Sequence, residues 1–171
     1  MQNIDELILL CHDLTVLYVE DDTILRKEMY EILDDLFSVV ILAKDGNDGF
    51  TKFLSCKKES GEYPDIIITD INMPNATGLE LSKKVLACHS EQLIIVLSAF
   101  NEAEYLLEFI NMGIDAYLLK PLSSDRFFQT LQRSSKHIFY KKMYEKYIDT
   151  AIQRPNSERY GEKQSKNNFC I

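Results

Sequence analysis

Short apolar runs alternate along this chain with longer stretches in which apolar residues recur every third or fourth position. The runs are Val16-Leu-Tyr-Val19, Val39-Val-Ile-Leu42, the segment from Pro64 to Asp70 with Ile66-Ile-Ile68 at its heart, Leu93-Ile-Ile-Val-Leu97 and Ala116-Tyr-Leu-Leu119. Runs of roughly four to six apolar residues between polar punctuation suit strands buried on both faces. The stretches between them predict helices. Thr23–Phe37 repeats Leu25, Met29, Ile32, Leu33 and Leu36 at helical spacing, with Asp22 or Thr23 as N-cap. The turn Asp45-Gly46 leads into a helix over 47–58 whose Phe50, Phe53 and Leu54 face inward. A third helix follows Gly78 to about residue 88 with Leu79, Val85 and Leu86 on its apolar face, and a fourth covers 102–112, stopped by Gly113. A short amphipathic helix over 3–12 precedes the first strand at 15–20. Strands alternating with helices predict a parallel sheet, and the brevity of Val39–Leu42 places it near an edge.

From Ser124 the helical pattern continues to about Ile152, further than one sheet layer requires. Phe127, Phe128 and Leu131 suit the sheet. Beyond them Tyr140, Met143 or Tyr144, Tyr147 and Ala151 recur at alternating steps of three and four, a coiled-coil-like seam. That seam serves either to fold back on the same domain or to meet a partner or second copy. Pro155 ends the helix, and 156–171, with Ser, Asn, Gly, Lys and Gln prominent, is expected to be flexible. The chain therefore divides into an N-terminal extension (1–13), a domain (14–133), a helical extension (134–152) and a tail (153–171).

Composition narrows the classes. A chain of 171 residues with 46% hydrophobic content holds one ordinary core and something extra. The cysteines at 11, 56, 88 and 170 lack paired or ligand spacing, which speaks against a zinc site or disulfide framework and for reduced thiols in a cytoplasmic protein. No apolar run approaches membrane-spanning length, so no membrane insertion is expected. The formal charge of −8 is uneven: residues 1–132 hold ten Lys and Arg against 23 Asp and Glu, a balance of −13, and residues 133–171 hold nine against four, a balance of +5. The acidic part should repel nucleic acid. No helix-turn-helix, cyclase or kinase pattern follows residue 133, so direct nucleic-acid contact is not expected.

The chemistry lies where the runs end. The first delivers Glu20-Asp21-Asp22, the third Asp70, the fourth Ser98 and the fifth Lys120. Ligands of parallel sheets gather outside the carboxyl ends of the strands, so the carboxylates of Glu20, Asp21 and Asp70, a hydroxyl and an ammonium should share one edge. Clustered carboxylates repel unless a cation joins them, and hard oxygen ligands favour Mg²⁺, with Mn²⁺ able to substitute. A backbone carbonyl at Asn72 would fill out the metal sphere. With Lys120 on the other side, Asp70 is placed to attack a phosphoryl group, whose transfer depends on charge neutralisation and in-line positioning.

Leu17-Tyr-Val-Glu-Asp-Asp22, Asp70-Ile-Asn-Met-Pro74 with Gly78, Ser98-Ala99 and Tyr117-Leu-Leu-Lys-Pro121, in that order, resemble the receiver domain of two-component response regulators over about 14–133. The resemblance implies an α/β, doubly wound, five-stranded parallel sheet of flavodoxin-like type, strand order 2-1-3-4-5, with an extended last helix. It implies that a sensor histidine kinase or phosphotransfer protein phosphorylates Asp70. Mg²⁺ would then sit on Asp21, Asp70 and the Asn72 carbonyl, with Glu20 completing the acidic pocket through water. Ser98 matches the switch hydroxyl, Tyr117 the switch aromatic and Lys120 the phosphate-pairing lysine, and a cis peptide before Pro121 is implied. Output would pass to a downstream protein partner, an effector domain or a homodimer through the last helix. Such a protein is no enzyme beyond its own phosphorylation and dephosphorylation. Three positions depart from the usual pattern: Thr77 where Asp often precedes Gly78, Phe100 two residues past Ser98, and Leu122 after Lys-Pro. A phosphatase of haloacid-dehalogenase type also uses an Asp nucleophile after a strand. It wants a second Asp two residues on, where this chain has Asn72. A flavin module on the same fold lacks its phosphate-cradling Gly-rich loop here.

Overall fold

The computed structural model of the chain describes residues 4–99 and 103–152. Pro155, Phe100, Cys170 and the tail over 153–171 lie outside the described residues. Among the described residues six helices and five strands alternate: α1 (Ile4–Cys11), β1 (Thr15–Val19), α2 (Thr23–Asp34), β2 (Val39–Ala43), α3 (Gly46–Ser60), β3 (Ile66–Asp70), α4 (Gly78–Cys88), β4 (Leu93–Ser98), α5 (Ala103–Met112), β5 (Ala116–Leu119) and α6 (Ser124–Ile152). All neighbouring strands pair in parallel, in the order β2-β1-β3-β4-β5. This is the doubly wound, flavodoxin-like arrangement, with helices on both faces. The inner strands β1, β3 and β4 read as continuous apolar runs because both faces are covered, and Val16, Leu17, Ile66, Ile67, Ile95 and Val96 have no exposure to water. As the edge position predicts, β2 is only partly buried, and so is β5 at the opposite edge.

Register decides which side chains meet. Val19 pairs with Thr69, so Glu20 follows β1 beside the last residue of β3, Asp70. Asp70 in turn pairs with Leu97, one residue short of Ser98, and Ser98 pairs with Leu119, one residue short of Lys120. The polar residues that close the runs therefore line one edge of the sheet.

Two helix expectations are corrected. The helix after Glu20-Asp21-Asp22 stops at Asp34, and Leu36 and Phe37 are buried in the turn beyond it, where both backbone N–H groups donate to the Leu33 carbonyl (3.0 and 2.9 Å). Within it only Leu33 is fully buried, while Leu25 and Ile32 are 42% and 41% exposed. The helix packs on β1 and the edge strand β2, which together cover a narrower stripe than its apolar face. In α3, Phe53 takes the inward position, stacked on Tyr63 with ring centroids 4.3 Å apart. Leu54, turned about 100° from it by helix geometry, faces water at 42% exposure.

At the amino edge of the sheet, Asp65 Oδ2 accepts from the Thr15 N–H (2.8 Å) and Asp115 Oδ2 from the Ile94 N–H (2.7 Å). Helix α1 buries Leu7 and Cys11, and its Glu6 pairs with Gln132 (2.9 Å) and Lys136 (2.8 Å) of α6. Burial pushes the Cys11 thiol up to about 11, despite a hydrogen bond with Ser135, so this cysteine is an inert core group. Phe127 and Leu131 of α6 are buried as expected. The chain divides into two compact units inside this helix, Met1–His137 and Ile138–Ile171. Among the described residues no helix is long and apolar enough to cross a membrane.

Candidate functional site

The carboxyl edge of β1 and β3 gathers Glu20, Asp21 and Asp70 so that one carboxylate oxygen of each lies within 4.8 Å of the others. Glu20 is buried to 1% exposure, Asp70 is half-buried and Asp21 is exposed. Lys120 bridges two of them, its Nζ standing 2.9 Å from Glu20 Oε2 and 3.0 Å from Asp70 Oδ2. The other Asp70 oxygen, Oδ1, accepts from the Ile71 N–H at 2.9 Å. Three carboxylates thus gather beside the Lys120 ammonium, and three hard oxygen donors that close together fit a small divalent cation.

Burial is the main cause raising the Glu20 carboxyl above its ordinary value; the Lys120 hydrogen bond opposes it and repulsion from Asp70 adds to it. Burial alone would lower the Lys120 ammonium. Its hydrogen bonds and attraction to Glu20 and Asp70 outweigh that and hold it above the ordinary lysine value. Lys120 is therefore a permanent cation at neutral pH. Its backbone is held as well, because the Lys120 N–H donates to the Ser98 carbonyl (2.7 Å); the Lys120–Pro121 peptide that follows is cis.

Ser98 and Tyr117 form a second group on the neighbouring strands. Their hydroxyls share a 2.6 Å hydrogen bond, and the Ser98 hydroxyl also donates to the Ala99 carbonyl at 2.9 Å. Ser98 is fully buried, whereas Tyr117 is half-buried at the β5 edge with its ring 6.0 Å from Phe109. A hydroxyl beside the carboxylate cluster is thereby tied to a side chain that reaches the surface.

The loop from β3 to α4 carries Asn72, which is exposed, between Asp70 and Gly78. Gly78 is required here. A Cβ at this position would lie 2.1 Å from the Asp70 carbonyl oxygen, and the Gly78 N–H closes the loop on the Ile71 carbonyl at 2.9 Å. The departure at Thr77 has a local reason. Thr77 is the N-cap of α4, accepting from the Glu80 N–H (3.2 Å) while Glu80 accepts from the Thr77 N–H (2.8 Å). Such a capping box does the work an Asp would do there, a contribution of about 1 kcal/mol. Leu122 is half-buried, and Phe100 lies outside the described residues.

Four residues of this edge escaped the sequence reading. Tyr18, buried in β1, donates its hydroxyl to Glu20 Oε2 (3.3 Å), and a lone phenol in an aliphatic strand just before an acidic pair was its signal. Arg26 donates from Nη1 to the backbone carbonyls of Glu20 (2.6 Å) and Asp21 (3.1 Å), fixing the acidic turn from one helical turn downstream. Asp45 and Asn75 meet through a 3.0 Å hydrogen bond across two loops, for which no local pattern exists.

A family model described as the response regulator receiver domain matches 16–132. The chain is 29% identical over 124 residues to the chemotaxis protein CheY of Listeria monocytogenes, covering 72% of this chain and 99% of that one. It is 37% identical over 95 residues to the transcriptional regulatory protein YesN of Bacillus subtilis, covering 56% of this chain and 24% of that one. The chain thus spans about a quarter of the length of that curated relative. Among solved structures, the N-terminal domain of an uncharacterized protein from Wolinella succinogenes superposes with a TM-score of 0.65 at 36% identity, over 75% of this chain and 98% of that one.

Proposed function

The chain belongs to the response regulator receiver family, and from that premise we propose that it is a phosphorylation-activated switch whose phosphoryl acceptor is Asp70. The observation that carries this reading is the Asp70 carboxylate at a strand end, held between Lys120 at 3.0 Å and the acidic partners Glu20 and Asp21. The donor is a phosphohistidine on a sensor histidine kinase or phosphotransfer protein. The nitrogen–phosphorus bond breaks as a carboxylate oxygen of Asp70 bonds to phosphorus; the phosphohistidine ring, protonated on its other nitrogen, leaves as neutral imidazole, and Asp70 becomes an acyl phosphate. Asp21, Asp70 and the Asn72 carbonyl would hold Mg²⁺, with Glu20 behind them, and the ion supplies neutralisation of the charge on the incoming phosphoryl oxygens. Lys120 pairs with the same oxygens from the other side. Ser98 leaves Tyr117 to donate to the phosphoryl group, and the freed Tyr117 changes the surface that partners read. This is self-modification rather than turnover of a substrate, and the family match leaves the phosphatase reading with no observation in its favour.

Incubation with acetyl phosphate and Mg²⁺, followed by intact mass, should add one phosphoryl group to the wild type and none to Asp70→Ala. An unmodified wild type sinks the reading.

The output is protein contact in the cytoplasm rather than direct nucleic-acid binding, consistent with the −13 balance over 1–132. Contact with a second copy through the distal half of α6 is favoured by Tyr140, Met143, Tyr144 and Tyr147, which repeat at coiled-coil spacing and are 54–70% exposed. Lys141, Lys142, Lys146 and Asp149 interleave that stripe without interrupting it. Light scattering of the full chain should give a dimer mass that Tyr144→Glu/Tyr147→Glu reduces to a monomer. Equal monomer masses remove self-association from the account.

A further inference from the structure

The loop that carries Asn72 is fixed at two places, and the second is a contact with the turn between β2 and α3. Asp45, 5% exposed, is the N-cap of α3: its Oδ1 accepts from the Asp48 N–H at 2.8 Å. Its other oxygen, Oδ2, accepts from Asn75 Nδ2 at 3.0 Å. Next to it the Gly46 N–H donates to the Ala76 carbonyl at 3.0 Å, and Asn47 Nδ2 reaches the Asn75 carbonyl at 3.4 Å. Gly46 permits this approach, since a Cβ there would lie 2.7 Å from the Ala76 oxygen and 2.9 Å from that of Thr77. Asn75 has φ of 66°, the left-handed region that side chains other than Gly, Asn and Asp rarely adopt. One buried carboxylate therefore both starts α3 and ties down the outer half of the neighbouring loop, while Gly78 ties down its root against Ile71 and Asp70.

We infer that Asp45 and Asn75 are a positioning pair for the divalent-cation site: their bond holds the β3–α4 loop so that Asn72, between the two anchors, presents its backbone to the cation shared with Asp21 and Asp70. The inference rests on the phosphoacceptor reading above and adds to it two residues that touch neither phosphoryl group nor metal. A backbone ligand has no side chain to lock, so the accuracy of its position is that of the loop. Groups that orient metal ligands from outside typically matter by about tenfold or more in affinity.

The test is Mn²⁺ binding to the unphosphorylated full-length chain, followed by the electron paramagnetic resonance signal of free Mn²⁺, with thermal unfolding in chelator as control. Asn75→Gly keeps the left-handed backbone and removes only the amide. Asp45→Ser keeps an N-cap oxygen for Asp48 and removes the oxygen that holds Asn75. Each should weaken Mn²⁺ by roughly three- to tenfold, and the double variant should be no weaker than the worse single one, because both break one bond. Melting temperatures in chelator should fall by only a few degrees, as loss of one hydrogen bond requires, so that every variant is folded at the temperature of the Mn²⁺ assay. Unchanged Mn²⁺ affinity in Asn75→Gly overturns the pairing, as does a double variant whose losses multiply. Failure of the underlying reading looks different: wild type would not bind Mn²⁺, or Asp70→Asn would bind it as well as wild type, and then the pairing falls with it.

Discussion

Aspartates close both edges of the same sheet, and they are used in opposite ways. At the amino edge Asp65 and Asp115 each accept a backbone N–H that a strand start would otherwise leave unpaired, Thr15 and Ile94, at 2.8 and 2.7 Å. At the carboxyl edge Asp70 accepts one backbone N–H and then shares Lys120 with Glu20, within reach of Asp21. A carboxylate whose oxygens complete the backbone is structural. One placed against other carboxylates around a single lysine carries an electrostatic cost that a bound divalent cation would relieve. The residue type is the same, so function follows from what surrounds it.

Substitutions at the two edges should therefore separate reactivity from stability. The largest expected effect is at the carboxyl edge: Lys120→Met should slow phosphorylation by acetyl phosphate about 100-fold, the usual cost of losing one charge-stabilising donor, and a rate within twofold of wild type would remove Lys120 from the chemistry. The next is at the amino edge. Asp115→Ala leaves the Ile94 N–H without its partner and should lower unfolding stability in urea by about 1–3 kcal/mol while phosphorylation proceeds at the wild-type rate. Loss of phosphorylation there, with stability intact, would erase the distinction between the edges. The smallest effect is on pH dependence. The Lys120 ammonium is held above its ordinary value of 10.5, so above that pH the folded state binds more protons than the unfolded one. The stability contributed by its pairs is fully present below 10.5 and is lost as pH rises through the higher folded value. Melting temperatures of wild type and Lys120→Met should accordingly converge at alkaline pH, and a constant gap would contradict the assignment.

Much of this edge is legible in the sequence because the code is local. An apolar run that stops at a polar residue announces both the strand and the group at its end, as it does for Asp70, Ser98 and Lys120. Register then does the remaining work, since in-phase parallel strands bring those ends together. Burial is less legible. Leu25 and Ile32 satisfy a helical period, but their exposure depends on how much of α2 the edge of the sheet covers. The Asp45–Asn75 bond is the extreme case. Its two residues are each ordinary turn formers, 30 positions apart, and only the approach of two loops gives them a joint role. Thr77 shows the converse: a position that departs from the family pattern keeps its capping chemistry.

Asp70, among all these carboxylates, is the one expected to become the acyl phosphate. After incubation with acetyl phosphate and Mg²⁺, borohydride reduction converts an aspartyl phosphate to homoserine, which peptide mass spectrometry places in the chain. Homoserine is expected at position 70 and at none of positions 21, 65 and 115. Homoserine at an amino-edge aspartate, or unaltered Asp70 in a protein that has gained a phosphoryl group, would contradict it.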